Sequence, residues 1–457
     1  MSDGPLASSF RDPAGFLFTR GDRLYRQVNS SYRDDYDRLM TSGLYQALTA
    51  DGSLVPHEDV EDVSPVTDDA YKIIQPTLVP FISYPYEWCF SQLRDAALLT
   101  LHVQQVAFEH GMTLKDCSMY NVQFLNGKPI FIDTLSFEAY REGDPWVPYR
   151  QFCQHFLAPL ALMAYRDPRL NKLLAVHLDG IPLDLASKLL PLRSYFSPSL
   201  LAHLHLHARS GQAAPGVTKA AIQAKFSRQA LLALLDDLAT VVRGLRWEPR
   251  GTDWGDYYQD TNYTAEAFAH KQQAVAACIE RVQPRIVWDL GANTGVFSRL
   301  ASAQGCTTIS FDYDPGVIER SYRQARKAGD THLLPLILDL TNPSPGLGWM
   351  TQERLSLFQR GPADLVLALA LIHHLAIGNN VPLQRLAAFF AQVGRVLLIE
   401  FVPLEDSQVQ RMLAMRENIF TGYTRQAFEE AFQQEFDILD TLAIHDQDRT
   451  LYLMQRR

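Results

Sequence analysis

Residues 286–300 read IVWDLGANTGVFSRL. Asp289, Gly291, Asn293 and Gly295 stand where an apolar, strand-like run gives way to a segment of helical spacing. A glycine directly after a strand lets the backbone turn tightly and lets a ligand come close. The helix that follows offers N–H groups with no partner inside the helix. Seventeen residues past Gly295, Asp312 ends a second strand-like run in SFDYDPG. An acid there can accept both hydroxyls of a ribose. Together these residues describe a small-molecule site at the tips of two neighbouring strands. His373 and His374 follow a later strand-like run. A neutral imidazole in that place can take a proton from a hydroxyl or amine; both histidines also read as structural. Glu400, ending VLLIE, faces the same rim, with a structural role equally open.

The elements that must hold these residues follow from periodicity. From residue 286 onward, runs such as RIVWDL, TTISFDYD, LPLILDL, ADLVLALAL and GRVLLIEFV alternate with helical segments such as GVIERSYRQARKAG and PLQRLAAFFAQVG. The runs are apolar throughout, which indicates strands covered on both faces. The fold class expected is α/β: a doubly wound, mostly parallel sheet. The last 23 residues, EFDILDTLAIHDQDRTLYLMQRR, predict an antiparallel hairpin at its edge. The first half is mixed. Residues 15–28 predict two short strands about a Gly-Asp turn, and 95–111 a helix ending in glycine. Residues 122–137 predict a hairpin through Asn-Gly, and 150–207 are mostly helical in pattern. Residues 208–221 are small and Gly/Pro-bearing and read as a linker. The organisation expected is an α+β domain over 1–210, linker and helix over 211–250, and the α/β domain over 251–457.

Composition narrows the classes. The chain has 457 residues, 47% hydrophobic and 20% charged, with a formal net charge of −9. Two or three domains with sizeable cores are expected. No long Lys/Arg block is present, which argues against nucleic acid as the main partner. Cys89, Cys117, Cys153, Cys278 and Cys306 form no C-x-x-C pair, so a reducing, cytoplasmic setting is expected rather than a disulfide framework. The segment MSDGPLASSFRDPAGF lacks the basic and apolar regions of a signal peptide, and no membrane span is expected.

On these residues the second half resembles the class I S-adenosylmethionine (SAM) methyltransferases. DLGANTG matches that family's first motif, with Asn293 in place of its middle glycine. Asn tolerates left-handed backbone better than most residues. The resemblance implies SAM as cofactor, with Asp312 on the ribose and Asp339 and Leu340 of LDLTNP at the adenine. It implies that Asp289 holds the glycine loop or the methionine amino group. Asp339 equally reads as a cap before TNP. ADLVLALALIHHL corresponds to the fourth strand and the loop that meets the methyl acceptor, which makes His373 and His374 the candidate bases. The segment before the sheet often covers the cofactor in such enzymes. Trp254, Tyr257, Tyr258, Asn262, Tyr263 and Lys271 lie there, and an aromatic such as Tyr263 can stack on adenine or face the sulfonium. Packing of a lid is the plainer reading. The NPPY motif of amino-methylating enzymes acting on nucleobases is absent.

A second pattern lies in LKDCSMYNVQFLNGKPIFIDTLSFE. Asp116 is followed after five residues by Asn121, and after twelve more by Asp133. This resembles the catalytic region of protein-kinase-like and aminoglycoside-phosphotransferase-like folds. The resemblance implies Asp116 as base and Asn121 with Asp133 as Mg²⁺ ligands. Lys115 and Thr134-Leu135 depart from the family pattern, no glycine-rich phosphate loop is present, and Lys72 and Arg26 are the candidates for its strand lysine. Substrate recognition is therefore expected of this half rather than phosphotransfer. As a whole the chain also resembles bacterial two-part methyltransferases that include nodulation-associated NoeA-type proteins. The expected function is methyl transfer from SAM to an O or N of a small-molecule, saccharide or lipid-linked acceptor. A bifunctional enzyme and a non-catalytic SAM-binding scaffold are the alternatives.

Overall fold

The computed structural model describes residues 4–210, 227–249, 263–414, 420 and 422–457. Trp254, Tyr257, Tyr258 and Asn262 lie outside the described residues, as does most of the expected linker. The chain divides into two compact units. The first comprises Met1–Trp247 with Leu347–Arg354, the second Glu248–Gly346 with Leu355–Arg457.

The first unit is α+β. Its antiparallel sheet contains β1 (Gly4–Pro5), β2 (Gly15–Arg20), β3 (Arg23–Asn29), β4 (His57–Asp59) and β5 (Ala70–Pro76), in the order β1-β2-β3-β5-β4. β2 and β3 are the hairpin expected about Gly21-Asp22. The long helix Phe90–Glu109 starts five residues earlier than its periodicity suggests, because the Gln92 side chain accepts the Cys89 N–H at 2.9 Å and caps the end. It stops at Gly111, whose φ of +70° suits a residue without Cβ. Beyond it run β6 (Met112–Leu114), β7 (Val122–Leu125), β8 (Lys128–Phe131) and β9 (Phe137–Ala139). β7 and β8 are joined through Asn126 and Gly127, both at positive φ, the backbone a two-residue hairpin needs. Residues 149–210 are a run of short helices. The helix Arg228–Gly244, grouped by the sequence pattern with the linker, packs on helix Phe90–Glu109 within this unit.

The second unit is built on one seven-stranded sheet: β10 (Ile286–Leu290), β11 (Thr307–Asp312), β12 (Leu333–Ile337), β13 (Ala363–Ala368), β14 (Gly394–Phe401), β15 (Phe436–Ala443) and β16 (Thr450–Arg456), in the order β12-β11-β10-β13-β14-β16-β15. The first five are parallel; β16 pairs antiparallel with both β14 and β15. This is the doubly wound, mostly parallel sheet with a terminal hairpin that the apolar runs indicated. Both faces are covered, which is why the strands carry no alternation. One face is packed by Val275 and Ile279 of helix Ala265–Val282 and by Phe297 and Ala301 of helix Val296–Ser302, against Val287, Leu365, Leu367 and Leu398. The chain winds outward from β10 in both directions. The topological switch therefore falls between β10 and β13, where the connecting loops part and leave a crevice. No helix among the described residues is long and apolar enough to cross a membrane.

Candidate functional site

At that switch point, within the second unit, lies a cavity of about 380 Å³, inside the range that small-molecule sites occupy. Its walls come from the tips of β10 to β13 and from the segment before the sheet. Gly291, Asn293, Asp289 and Asp312 line it, as do Asp339, Leu340, Tyr263 and His374. Gly295 and His373 are not part of the wall. Gly295 is the left-handed residue, φ +80°, that turns the loop into helix Val296–Ser302, and a Cβ there would stand 3.0 Å from Ser321 Oγ.

The loop after β10 is fixed by hydrogen bonds to β11. Gly291 and Ala292 both donate to Phe311 O at 2.9 Å. Asn293, at φ +51°, donates its N–H to Asp312 Oδ2 at 2.9 Å, and Asp314 donates to Oδ1 at 3.0 Å. A carboxylate has about four acceptor positions, so Asp312 retains capacity toward the cavity. Asp289 accepts the Ser298 hydroxyl at 2.6 Å, which ties it to the helix behind the loop. Burial pushes Asp289 and Asp312 each up to about 6; for Asp312 the N–H bonds of Asp314 and Asn293 oppose that rise. Gly291 has φ +74°, and a Cβ on it would meet Leu371 Cδ1 at 3.0 Å. The bare backbone there is a cradle that a side chain would fill. Asp339 is exposed and accepts the N–H and hydroxyl of Thr341 at 2.8 and 2.7 Å, so it shapes its own turn while it lines the cavity.

The histidine pair divides. His374 begins the helical turn His374–Gly378 and faces the cavity; burial and the charge of Arg449 take it down to about 4, so it is neutral at pH 7. His373 is buried at 1% exposure, with its ring 4.2 Å from that of His374, and its Nδ1 has no hydrogen-bond partner among the described residues. The helical turn points neighbouring side chains in different directions, so only one can face the crevice.

Three residues singled out from the sequence, Glu400, Tyr263 and Lys271, join a wider array. Glu400, fully buried, accepts Lys271 Nζ at 2.6 Å, the Ala370 N–H at 2.7 Å and the Tyr263 hydroxyl. Arg449 lies 3.7 Å from Glu400, donates to Tyr263 Oη at 3.0 Å, and binds Asp406 at 2.7 Å. Burial alone would raise Glu400; Lys271 and Arg449 outweigh it and hold the carboxyl below its ordinary value. Sequence reasoning missed Arg449 and Asp406. Their only signal was the rarity of charged residues that flank apolar strand ends.

In the first unit the structure does bring Asp116, Asn121 and Asp133 together. Asn121 Nδ2 donates to Asp116 Oδ2 at 3.0 Å and to Ser136 Oγ at 3.1 Å, and Ser136 donates to Asp133 Oδ2. Asp116 Oδ1 accepts Gln151 Nε2 at 2.6 Å and the Ser118 N–H at 3.0 Å. Asp133 Oδ1 takes the Arg26 guanidinium at 2.5 Å and the Leu135 N–H at 3.2 Å. Burial would raise Asp133; Arg26 and Ser136 outweigh it and hold it below the ordinary carboxylate value. Lys72, the other candidate strand cation, pairs with Asp59 instead. This donor set does not fit a magnesium ion. Asn121 turns its amide donors toward Asp116 and Ser136, and the Arg26 guanidinium already occupies Asp133 where a cation would sit.

Two outcomes follow from this geometry. Arg26→Met leaves a buried carboxylate without its cation and should cost about 3–5 kcal/mol in the first unit's chemical denaturation, while Mg²⁺ with ATP should leave the wild-type melting temperature unchanged. Gly291→Ala forces a Cβ into left-handed backbone and against Leu371. It should lower the melting temperature by a few degrees, equivalent to roughly 1 kcal/mol, as read by calorimetry.

No family model matches the chain. Among solved structures, the bifunctional kinase-methyltransferase WbdD aligns at 17% identity and a TM-score of 0.30, over 45% of this chain and 42% of that one, so the match spans less than half of that protein. The magnesium protoporphyrin IX methyltransferase ChlM of Synechocystis PCC 6803, solved with S-adenosylhomocysteine (SAH) bound, aligns at 16% identity and a TM-score of 0.31, over 45% of this chain and 93% of that one. The N-methyltransferase NodS of Bradyrhizobium japonicum WM9 aligns at 11% identity and 0.30, over 42% and 97%. Likenesses this slight carry no argument about function. In sequence, the chain is 37% identical to nodulation protein NoeA of Rhizobium meliloti (strain 1021), across 99% of this chain and 96% of that protein. With that identity over its whole length, the chain belongs to the family of nodulation protein NoeA.

Proposed function

We propose that this protein is a SAM-dependent methyltransferase whose reaction centre is the cavity of the second unit. One observation carries the reading: Asp312, at the tip of β11, orders the neighbouring glycine loop through the Asn293 N–H and still faces the cavity with spare acceptor capacity. A carboxylate and a bare loop on adjacent strand tips are what a ribose with an attached amino-acid tail requires. Asp339 and Leu340 would border the base, and Tyr263 would cover the methyl side. Bound there, SAM supplies an activated methyl carbon open to in-line displacement. The residues align the acceptor and exclude water. His374, neutral at pH 7, would take the acceptor's proton; His373, turned away from the cavity, has no direct part. The acceptor is an oxygen or nitrogen of a small molecule, saccharide or lipid-linked precursor. The relative's name suggests a place among nodulation-related modifications. We place the protein in the cytoplasm, in keeping with five buried cysteines that form no disulfide. The first unit would select or present the acceptor.

Calorimetric titration with SAH tests the cofactor assignment. Asp312→Ala should weaken binding roughly 100-fold, the loss of two charge-assisted hydrogen bonds; unchanged affinity would remove Asp312 from the site. Because Asp312 accepts hydroxyl donors best when ionised, SAH affinity should hold from pH 8 to 7 and fall as the pH drops through about 6. Asp312→Asn should lessen that fall and leave the part due to Asp289, which lines the same cavity and also sits near 6. With an acceptor found by mass spectrometry of extracts incubated with methyl-labelled SAM, His374→Ala should slow turnover by about 10²-fold or more, with little change in SAH affinity.

A further inference from the structure

The array around Glu400 is an unusual use of charge. Lys271, Arg449, Asp406 and Glu400 are each at most 7% exposed. Burying ion pairs rarely adds net stability, because desolvation offsets their attraction, so their arrangement asks for another reason. Three of the groups held by Glu400 belong to the cavity wall: Tyr263, Lys271 and Ala370. Glu400 itself does not line the cavity.

Each contact fixes something the site needs. The Tyr263 hydroxyl gives its proton to Glu400 and accepts from Lys271 at 3.2 Å and Arg449 at 3.0 Å. One donor and two lone pairs are thereby all used, so the hydroxyl has no role left in proton transfer and the ring is locked in place. Ala370 has φ +50°, a conformation that costs a residue with a Cβ about 1–2 kcal/mol. Its N–H bond to Glu400 holds it there. Leu371 follows, packing over Gly291, and Leu371 O accepts the His374 N–H at 3.0 Å, which starts the turn that carries His374. Lys271 has its ammonium 4.9 Å from the centroids of both Tyr263 and Phe297, two cavity-lining rings.

We propose that Glu400 is the positioning residue of this site: its carboxylate fixes Tyr263, Lys271 and Ala370 in the wall and cancels the positive charge that Lys271 would otherwise present to a cationic methyl donor. The inference rests on the SAM reading above. SAM and SAH differ by one methyl group and by the positive charge on sulfur, so their affinity ratio reports the sign of the charge around the cavity. Uniform damage to the wall lowers both affinities alike and leaves that ratio unchanged, whereas a change in its charge moves it.

The test is calorimetric titration of the full chain with SAM and with SAH. Glu400→Gln keeps the shape and removes one negative charge. SAM affinity should fall on the order of tenfold more than SAH affinity, the effect of an unbalanced charge several ångströms away at intermediate dielectric. Lys271→Met should move the ratio in the opposite direction, and Glu400→Gln with Lys271→Met should return it near the wild-type value. If both single variants fold and keep the wild-type ratio, the proposal is overturned. If Glu400→Gln does not fold, the Lys271→Met shift decides by its sign. A wild-type protein that binds neither SAM nor SAH would overturn the methyltransferase reading, and this inference with it. Binding of both with an unmoved ratio overturns this inference alone.

Discussion

The second unit depends on how the backbone leaves β10. Beyond Leu290 the N–H groups of Gly291, Ala292 and Asn293 have no strand to pair with, and buried donors without acceptors are costly. The neighbouring tip of β11 supplies the acceptors: Phe311 O for the first two and the Asp312 carboxylate for the third. The geometry requires left-handed backbone at positions 291, 293 and 295. Two are glycines and the third is an asparagine, which tolerates that region and whose side-chain oxygen accepts the next N–H, from Thr294, at 2.7 Å. The same bonds that satisfy the loop hold open the crevice at the sheet's switch point. Structural need and binding capacity share one carboxylate.

Three acids buried near this cavity are kept in different states by different partners. Asp289 and Asp312 are met by hydroxyl and N–H dipoles, which only partly offset desolvation, so both sit near 6. Glu400 is met by an ammonium and a guanidinium, and ionises more readily than an ordinary glutamate. Full cations thus collect on the β14 side and dipoles on the β10–β11 side. On the β14 side Glu400 and Asp406 balance those cations, so the charge there is compensated rather than bare.

The acids of the first unit make a contrast. Asp116 and Asp133 also sit at the ends of short strands, beside an asparagine, in the spacing that suggested metal-dependent chemistry. There each acid has three partners, one of them a full cation at Asp133. Arg26, Ser136 and Leu135 take Asp133, and Gln151, Ser118 and Asn121 take Asp116. Residue spacing alone does not tell these two arrangements apart. The two differ in their partners and setting: Asp133 holds a guanidinium, whereas Asp312 is met only by N–H dipoles and lines a cavity.

That distinction also explains what the sequence made legible. The strands of the second unit, its hairpin, the glycine turn and Asp312 were readable because each is set by neighbours a few residues away: apolar runs, a turn that needs positive φ, an acid at a strand end. The Asn126-Gly127 hairpin was readable for the same reason. The Glu400 array was not, because Glu400 meets Tyr263 across 137 positions and Arg449 meets Tyr263 across 186. Only the sheet order brings the tip of β14, the turn before β16 and the start of helix Ala265–Val282 to one place. The split between His373 and His374 was hidden too, since adjacent letters carry no record of which side chain a helical turn aims inward. The legible part of the site is accordingly the part that would bind a cofactor common to many proteins, and the illegible part is the wall that would tune its charge. Tuning of that kind can be written only in contacts that the fold itself assembles.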